Sequence, residues 1–372
     1  MIEKNKEYIV EIIDTGYKGE GIAKIDDFTI FIPNAIKGEK IKIKIIKVLT
    51  SYAFGKIIEI IEPSKNRLES DCSTYKRCGG CNLRHVKYDE TLKIKQNLVQ
   101  SLVNKTLKNK IKVKETIGME NPYYYRNKAQ FPIGKDKENN VVMGVFANRT
   151  HEIIPIEECF IQNKEIQKLS KFILEFIKEN DISVYDETSR KGLIRHIVTK
   201  IGIKTNEIMC IIVINGKEIP KEKELTMQII KKFPNVKTIV KNINTKNTNV
   251  IMGEKNEKIY GDGYIEDKLG EYTFKISPHS FYQVNPVQAE KLYSIGVEAA
   301  NINKEDLVIE IGPGLGTLTK YILERAGKVI CVELDERMID ILKERFFLYK
   351  NFEIINEDIL KVDLHKLIKE EK

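Results

Sequence analysis

Ile309-Glu-Ile-Gly-Pro-Gly-Leu-Gly316 is the stretch on which the reading of this chain turns. A short apolar strand that breaks into closely spaced glycines and then a helix lets backbone approach a ligand, because glycine has no Cβ in the way. Around it, residues 306–311 read as a strand, 315–325 have helical spacing, and 328–332 form a second apolar run that delivers Glu333. A carboxylate about twenty residues beyond a glycine loop, ending the next strand, is placed to accept from the ribose hydroxyls of an adenosine-type cofactor. Gly312 and Gly314 are therefore candidate contact positions and Glu333 the ribose acceptor. Asp358, after a third strand at 352–355, is the candidate adenine partner. A lone glycine cluster also caps helices and turns, so NAD-type binding and a purely structural turn stand as alternatives.

The chain has 372 residues, 42% hydrophobic and 31% charged, as expected of a soluble globular protein of two or three domains. No apolar run approaches the roughly 18 residues of a membrane span, and the N-terminus, Met-Ile-Glu-Lys-Asn-Lys-Glu, lacks a signal core. These features predict a cytoplasmic protein with no membrane association, and no obligate protein partner is evident. Net charge of +8 permits a polyanionic partner without requiring one. Its distribution says more: from Arg84 to Lys128 eleven Lys or Arg stand against four acids, a stripe suited to phosphates. A solvated lysine-rich helix face explains that charge equally well.

Working outward, residues 1–62 alternate apolar and polar positions in short runs at 8–13, 22–25, 29–32, 40–48 and 54–60. Turns at Gly16, Gly19, Gly21, Pro33 and Gly38 separate them, which predicts a small closed antiparallel barrel. Lys40, Lys42 and Lys44 share one face of a strand, and a basic face suggests nucleic acid.

Cys72, Cys78 and Cys81 follow with C-x5-C-x2-C spacing on a glycine-containing loop. Neighbouring loop positions cannot all face a core, and a cytoplasmic chain argues against disulfides, so metal binding is the economical account. Cys159 is the candidate fourth ligand, whereas Cys210 and Cys331 lie in apolar runs and read as core. Four thiolates hold zinc or an iron-sulfur cluster. One distant Cys added to this triplet favours 4Fe-4S over zinc, whose sites come as paired CxxC halves. His85 is a competing ligand, or a neighbour in the basic loop.

Residues 89–107 have helical periodicity. Beyond them strands are expected at 126–132, 141–147, 151–155, 193–203, 208–214, 236–243 and 249–252, with helices at 163–180 and 221–233, giving a mixed α+β domain. Residues 255–271 read as loop. They lead to Ser277-Pro-His-Ser-Phe-Tyr-Gln-Val-Asn285, whose aromatics beside amides suit an adenine ring or a flipped base. His279 is a catalytic candidate or a structural histidine, and 287–300 is a helix feeding the glycine loop.

These residues together spell a family. Residues 1–300 resemble the bacterial S-adenosyl-L-methionine (SAM) dependent RNA uracil-5 methyltransferases with an N-terminal TRAM barrel and a 4Fe-4S cluster. The resemblance rests on the barrel, Cys72-x5-Cys78-Gly-Gly-Cys81, Tyr125-Arg-Asn-Lys-Ala-Gln130, the Cys159 segment, Leu193-Ile-Arg-His196 and the 277–285 stretch. It implies that Cys72, Cys78, Cys81 and Cys159 bind the cluster, that Gln283 contacts SAM, that Phe281 lies near the base, and that the central domain holds RNA, 23S rRNA in preference to tRNA. The 309–316 loop itself resembles motif I of SAM-dependent methyltransferases more than a dinucleotide fingerprint. From residue 307, Glu310-Ile-Gly-Pro-Gly-Leu-Gly316 and Asn356-Glu-Asp-Ile-Leu-Lys-Val-Asp-Leu364 resemble the rRNA adenine dimethyltransferases instead, so the chain reads as a hybrid joined at 303–307.

The expected architecture is multidomain: a TRAM-like, OB-like β-barrel (1–62), a central α+β RNA-binding domain with the iron-sulfur loop (63–88 and 125–270), and a Rossmann-like α/β methyltransferase domain (89–124 and 271–372) that reads as truncated after three strands. Family chemistry adds a cysteine thiolate to uracil C6, methylates C5 and removes the C5 proton with a base. The family's nucleophile and base lie beyond this sequence, and Cys331 reads as a core thiol. The chain is therefore expected to lack activity by itself, with β-edge exposure as a solubility liability. The alternatives are an RNA-binding module with a structural cluster and no reaction, and an rRNA adenine N6-methyltransferase.

Overall fold

The computed structural model describes residues 2–107, 111–147 and 150–370. It divides into two compact units, Met1–Pro122 with Val145–Glu158, and Tyr123–Gly144 with Cys159–Lys372. Part of the Arg84 to Lys128 stripe, Lys108 and Lys110, lies outside the described residues.

In the first unit, β1 (Glu7–Glu11), β2 (Asp14–Thr15), β3 (Gly21–Ile25), β4 (Phe28–Ile32), β5 (Lys40–Val48) and β6 (Tyr52–Glu62) form one sheet in the order β1-β5-β6-β4-β3-β2. Period-two alternation puts Ile41, Ile43 and Ile45 of β5 wholly inside with Val10, Ile12, Ile30 and Ile32. The sheet curls closed where the Ile13 N–H donates to the Ile22 carbonyl at 2.9 Å. Gly21 lines this seam, and a Cβ there would sit 2.7 Å from that of Ala35. One expectation needs correcting: the barrel is not all antiparallel, because β4 and β6 run parallel, Phe31 opposite Phe54. The chain crosses over between β4 and β5 instead of making a hairpin. Buried Glu39 fixes that crossover, accepting from the Ile36 N–H at 2.9 Å and the Arg67 guanidinium at 2.7 Å. The basic face is also largely neutralised, since Lys42 pairs with Glu7 at 2.8 Å and Lys40 with Glu62 at 3.3 Å.

Helix α1 (Tyr88–Thr106) falls in this first unit. Its buried Ile94 packs with Ile36 of the crossover and Val86, which tie it to the barrel.

The second unit is built on β7 (Lys128–Lys135), β8 (Val141–Phe146, whose last two residues, with β9 at Ile153–Pro155, fall in the first unit), β10 (Ile194–Ile201), β11 (Ile208–Ile214), β12 (Val236–Ile243) and β13 (Lys255–Tyr260), with α2 (Lys164–Glu179) and α3 (Glu222–Lys232). The sheet order is β13-β12-β11-β10-β7-β8. Every residue of β10 and β11 is buried, as the continuous apolar run of β11 requires; in β10 the burial takes in Arg195, His196, Thr199 and Lys200 as well. Residues 255–271, read as loop, instead hold β13 and β14 (Ile265–Leu269), and β14 pairs with β15 (Tyr272–Ile276). Lys-Asn-Glu-Lys-Ile-Tyr pairs along β12 through backbone, so its polar side chains gave no hydrophobic signal. Residues 249–252 are not a strand. The buried Asn244 amide holds that segment, donating to the carbonyls of Val250 and Ile251 at 2.7 and 3.0 Å.

After α4 (Pro286–Ala299) come β16 (Leu307–Ile311), α5 (Thr319–Leu323), β17 (Lys328–Glu333), α6 (Glu336–Phe346) and β18 (Phe352–Asn356), then a 3₁₀ turn at Ile359–Lys361 and α7 (Leu364–Glu370). The strands are parallel in the order β16-β17-β18, with α6 crossing between the second and third. The helix expected at 315–325 is shorter because Gly316, at φ 75°, still belongs to the loop.

Candidate functional site

Ligands of parallel sheets sit outside the carboxyl ends of the strands. There β16 opens into Gly312-Pro-Gly-Leu-Gly316, with Gly312 and Gly314 both left-handed at φ 67° and 56°. A Cβ added at either would meet no atom within 4 Å, whereas one at Gly316 would lie 2.6 Å from the Phe346 ring. The first two glycines thus leave open space beside the backbone, and the third is a packing glycine.

Glu333, ending β17, is 8% exposed. One carboxylate oxygen accepts from the Gly314 N–H at 3.0 Å and the other from the Asp335 N–H at 2.9 Å. Each oxygen keeps a second lone pair, so the residue shapes the loop and can still accept from a diol. Asn356, ending β18, donates to the Glu333 carbonyl at 2.8 Å, and Asp358 caps the following 3₁₀ turn by accepting from the Leu360 N–H at 3.0 Å. Gly312, Gly314, Glu333 and Asp358 are thus all at one end of the sheet. Glu310 is buried beneath it, and burial pushes its carboxyl above the usual range. Cys331 is wholly buried with its Sγ 3.7 Å from Glu310 Oε2, and burial raises its thiol pKa, so it is the core thiol its strand position predicts.

Gln283 precedes α4 and is half-buried. Its carbonyl accepts from the Asn127 side-chain amide at 3.0 Å, and the next carbonyl, of Val284, accepts from the Asn127 N–H at 3.0 Å. Two stretches 156 residues apart in sequence are thereby joined. Tyr282 shares a buried cluster with Leu315 of the glycine loop, which brings this segment to the strand ends. Phe281 is 73% exposed. Burial, with Arg337 and Lys200 nearby, keeps His279 below the usual imidazole range.

Lys200 was missed by sequence reasoning. On β10, it is 6% exposed, and its ammonium donates to the carbonyls of Ser277, Pro278 and Ser280 at 2.9, 2.9 and 3.1 Å. Three donors meet three acceptors of the turn that leads to Gln283. Burial, reinforced by Lys128 directly across the strand pair, pulls its pKa down to about 7. The sequence offered little signal, because β10, Ile-Arg-His-Ile-Val-Thr-Lys-Ile, carries four polar residues of which Lys200 is one.

Cys72, Cys78 and Cys81 are part-buried on turns of the first unit. Cys78 Sγ accepts from the Gly80 N–H at 3.3 Å, and Cys72 Sγ lies 3.3 Å from Thr74 Oγ1, polar partners of the kind that stabilise bound thiolates. Cys159 belongs to the second unit, where Gln167 brackets it, accepting from its N–H at 2.7 Å and donating to its carbonyl at 2.9 Å. Among the described residues no three His, Cys, Asp or Glu side chains converge closely enough to hold a metal ion. By its chemistry the donor set fits a four-thiolate group. His85 is no competitor for this role: it is 3% exposed, its Nδ1 is 2.6 Å from the Tyr75 hydroxyl, and burial lowers its pKa to about 4.

Against known proteins, residues 3–58 match the TRAM domain model and residues 277–372 the ribosomal RNA adenine dimethylase model. An uncharacterized RNA methyltransferase of Clostridium acetobutylicum is 43% identical over 345 residues, 92% of this chain and 75% of that protein. One from Halalkalibacterium halodurans is 40% identical over 90% of this chain and 73% of its own length. The chain belongs to the RNA methyltransferase family. The fold of this methyltransferase agrees: the solved Pyrococcus abyssi tRNA (uracil-54, C5)-methyltransferase, in complex with S-adenosyl-L-homocysteine, superposes with TM-score 0.73 over 95% of this chain and 80% of its own, at 20% identity. An alignment spanning 92% of the methyltransferase cannot stop at residue 307, so β16 and the glycine loop lie inside it. The adenine dimethylase match in turn begins at residue 277, before the expected join. The two resemblances overlap across α4 and the glycine loop.

Proposed function

We propose that the protein is a SAM-dependent methyltransferase of the uracil-5 type, directed at a uridine in RNA, with the cofactor seated at the β16 loop. The observation that carries this reading is the open pair Gly312 and Gly314 beside a buried Glu333 carboxylate at the carboxyl end of a parallel sheet. Bound there, SAM supplies an electrophilic methyl group. Glu333 would accept from the ribose, Asp358 would face the adenine, and the segment carrying Gln283 would close the other side. The barrel and the sheet of the second unit would hold the RNA, 23S rRNA in preference to tRNA. Cys72, Cys78, Cys81 and Cys159 would hold a 4Fe-4S cluster that organises the RNA-binding part and takes no part in methyl transfer.

Uracil C5 is a weak nucleophile until a thiolate adds at C6, and a base must later remove the C5 proton. Of the six cysteines in these 372 residues, four belong to the proposed cluster, and Cys210 and Cys331 are wholly buried with thiol pKa values pushed up by burial. None is placed to attack a base. These residues therefore carry cofactor and RNA binding, and by themselves transfer no methyl to uridine.

The adenine dimethylase match over residues 277–372 favours a second reading, N6 methylation of adenine, which needs no thiolate. Incubation with labelled SAM and rRNA or tRNA transcripts, followed by nucleoside analysis, separates the two. No label is expected. Label in N6-methyladenosine establishes the second reading, and label in 5-methyluridine overturns the cysteine argument.

A further inference from the structure

The outer face of the barrel carries three aromatic rings that its core does not use. Phe31 of β4 and Tyr52 and Phe54 of β6 alternate with the buried Ile30, Ile32 and Ala53, so they point away from the interior. None belongs to the barrel's hydrophobic cluster. They pack on one another, Phe31 with Tyr52 at 5.5 Å between ring centres, Tyr52 with Phe54 at 5.6 Å and Phe31 with Phe54 at 6.0 Å. The parallel β4–β6 pairing places Phe31 directly opposite Phe54, a juxtaposition that the all-antiparallel barrel would not have produced.

Charge around the trio is one-sided. Lys47 lies across the strand pair from Phe54, and one step further Lys44 and Lys56 face each other. Like charges directly opposite are unfavourable in the free protein and are relieved by an anion. Glu7, opposite Lys44 on β1, is engaged by Lys42 at 2.8 Å. The acids of β6, Glu59 and Glu62, stand at the far end of the strand, opposite Lys42 and Lys40. Residues 1–62 contain ten lysines and ten acids, so the barrel as a whole has no attraction for a polyanion. Attraction for a polyanion therefore rests on local patches, and at this one part-exposed rings and lysines coincide.

We propose that Phe31, Tyr52 and Phe54 form a base-stacking platform for an unpaired segment of RNA, with Lys44, Lys47 and Lys56 on its phosphates. Every base has a π-face, so the platform tolerates any sequence but needs bases that are out of a duplex. It deepens the RNA-methyltransferase reading by assigning the barrel single-stranded RNA flanking the target. It is independent of the cofactor site.

The test uses the full chain and a single-stranded RNA of about ten nucleotides, within the range a small barrel covers, carrying one 2-aminopurine whose fluorescence reports stacking. Anisotropy gives affinity, and the same strand annealed to its complement is the control. The wild type is expected to prefer the single strand and to change the 2-aminopurine signal. Phe31→Leu with Phe54→Leu keeps apolar volume and removes two rings, so it should weaken binding about tenfold, abolish the signal and leave the salt slope unchanged. Lys47→Gln with Lys56→Gln should lower the salt slope by about two contacts and keep the signal. Circular dichroism melts of each variant establish that the barrel is folded. A folded ring variant with wild-type affinity and signal overturns the proposal, as does equal binding of duplex. SAM titration of the same variants is read separately: loss of cofactor binding in the wild type defeats the methyltransferase reading and leaves the platform result standing.

Discussion

Replacing Lys200 by methionine removes a buried cation and keeps most of its volume. It leaves the carbonyls of Ser277, Pro278 and Ser280 without their donor. The space beside Lys200, bounded by Asn127, Lys128, Ser280 and Tyr282, is about 10 Å³, at the lower limit for one water, which can serve two of the three carbonyls at best. An unsatisfied buried acceptor costs about 1–3 kcal/mol, and losing the buried charge returns part of that, so a net destabilisation of about 2 kcal/mol is expected. The turn leads to Gln283, so SAM affinity should fall with stability. A pH profile supplies the sign. The lysine titrates at about 7 in the fold and near 10.4 unfolded, so the unfolded state binds the extra proton between these values. Wild-type stability should therefore rise with pH across that window, by at most about 1.4 kcal/mol per unit, and Lys200→Met should lack that rise. Urea melts from pH 6 to 10 with SAM titration at each pH make the comparison. Unchanged midpoint, unchanged pH slope and unchanged SAM affinity in the variant would mean that Lys200 does not hold this turn.

Buried His85 and His196, each titrating at about 4 against about 6.5 unfolded, should cost the protein stability as pH falls from 6.5 toward 4, and a flatter urea-melt profile is expected for His85→Phe. Cys331→Ala should lose roughly 1 kcal/mol from a small core cavity while SAM affinity stays within about twofold, because the thiol faces Glu310 rather than the loop; a tenfold loss by calorimetry would place it in the site. Cys78→Ser in protein purified without oxygen should remove the visible absorbance and iron of a thiolate cluster and leave SAM binding intact. Retained iron at full stoichiometry would take Cys78 out of the ligand set.

Much of the fold was legible because the strong signals are periodic. The alternation of β5, the apolar run of β11 and the strand–glycine–strand–acid order at 307–333 all name their own structure. What failed did so where backbone pairing outweighs side-chain pattern. Strand β13 is polar and edge-paired, and the parallel β4–β6 contact depends on a crossover that local spacing does not encode. The candidate site divided in the same way. Gly312, Gly314 and Glu333 were visible as a motif, and the structure joins the Gly314 N–H to the Glu333 carboxylate through a hydrogen bond. Asn127 and Lys200, which organise the segment carrying Gln283, act through main-chain carbonyls distant in sequence, a pairing no motif records. Lys40 and Lys42 of β5 show the opposite error, since they read as part of a basic face and instead pair with Glu62 and Glu7.

The most direct measurement of the central claim is a calorimetric titration of the full chain with SAM, followed by competition with S-adenosyl-L-homocysteine, NAD and ATP, in wild type and Glu333→Gln. One SAM site is predicted, displaced by S-adenosyl-L-homocysteine and not by NAD or ATP, and weakened at least tenfold when the carboxylate that holds the Gly314 and Asp335 amides becomes an amide. Absence of SAM binding by the folded wild type, or equal affinity for NAD, would contradict the account.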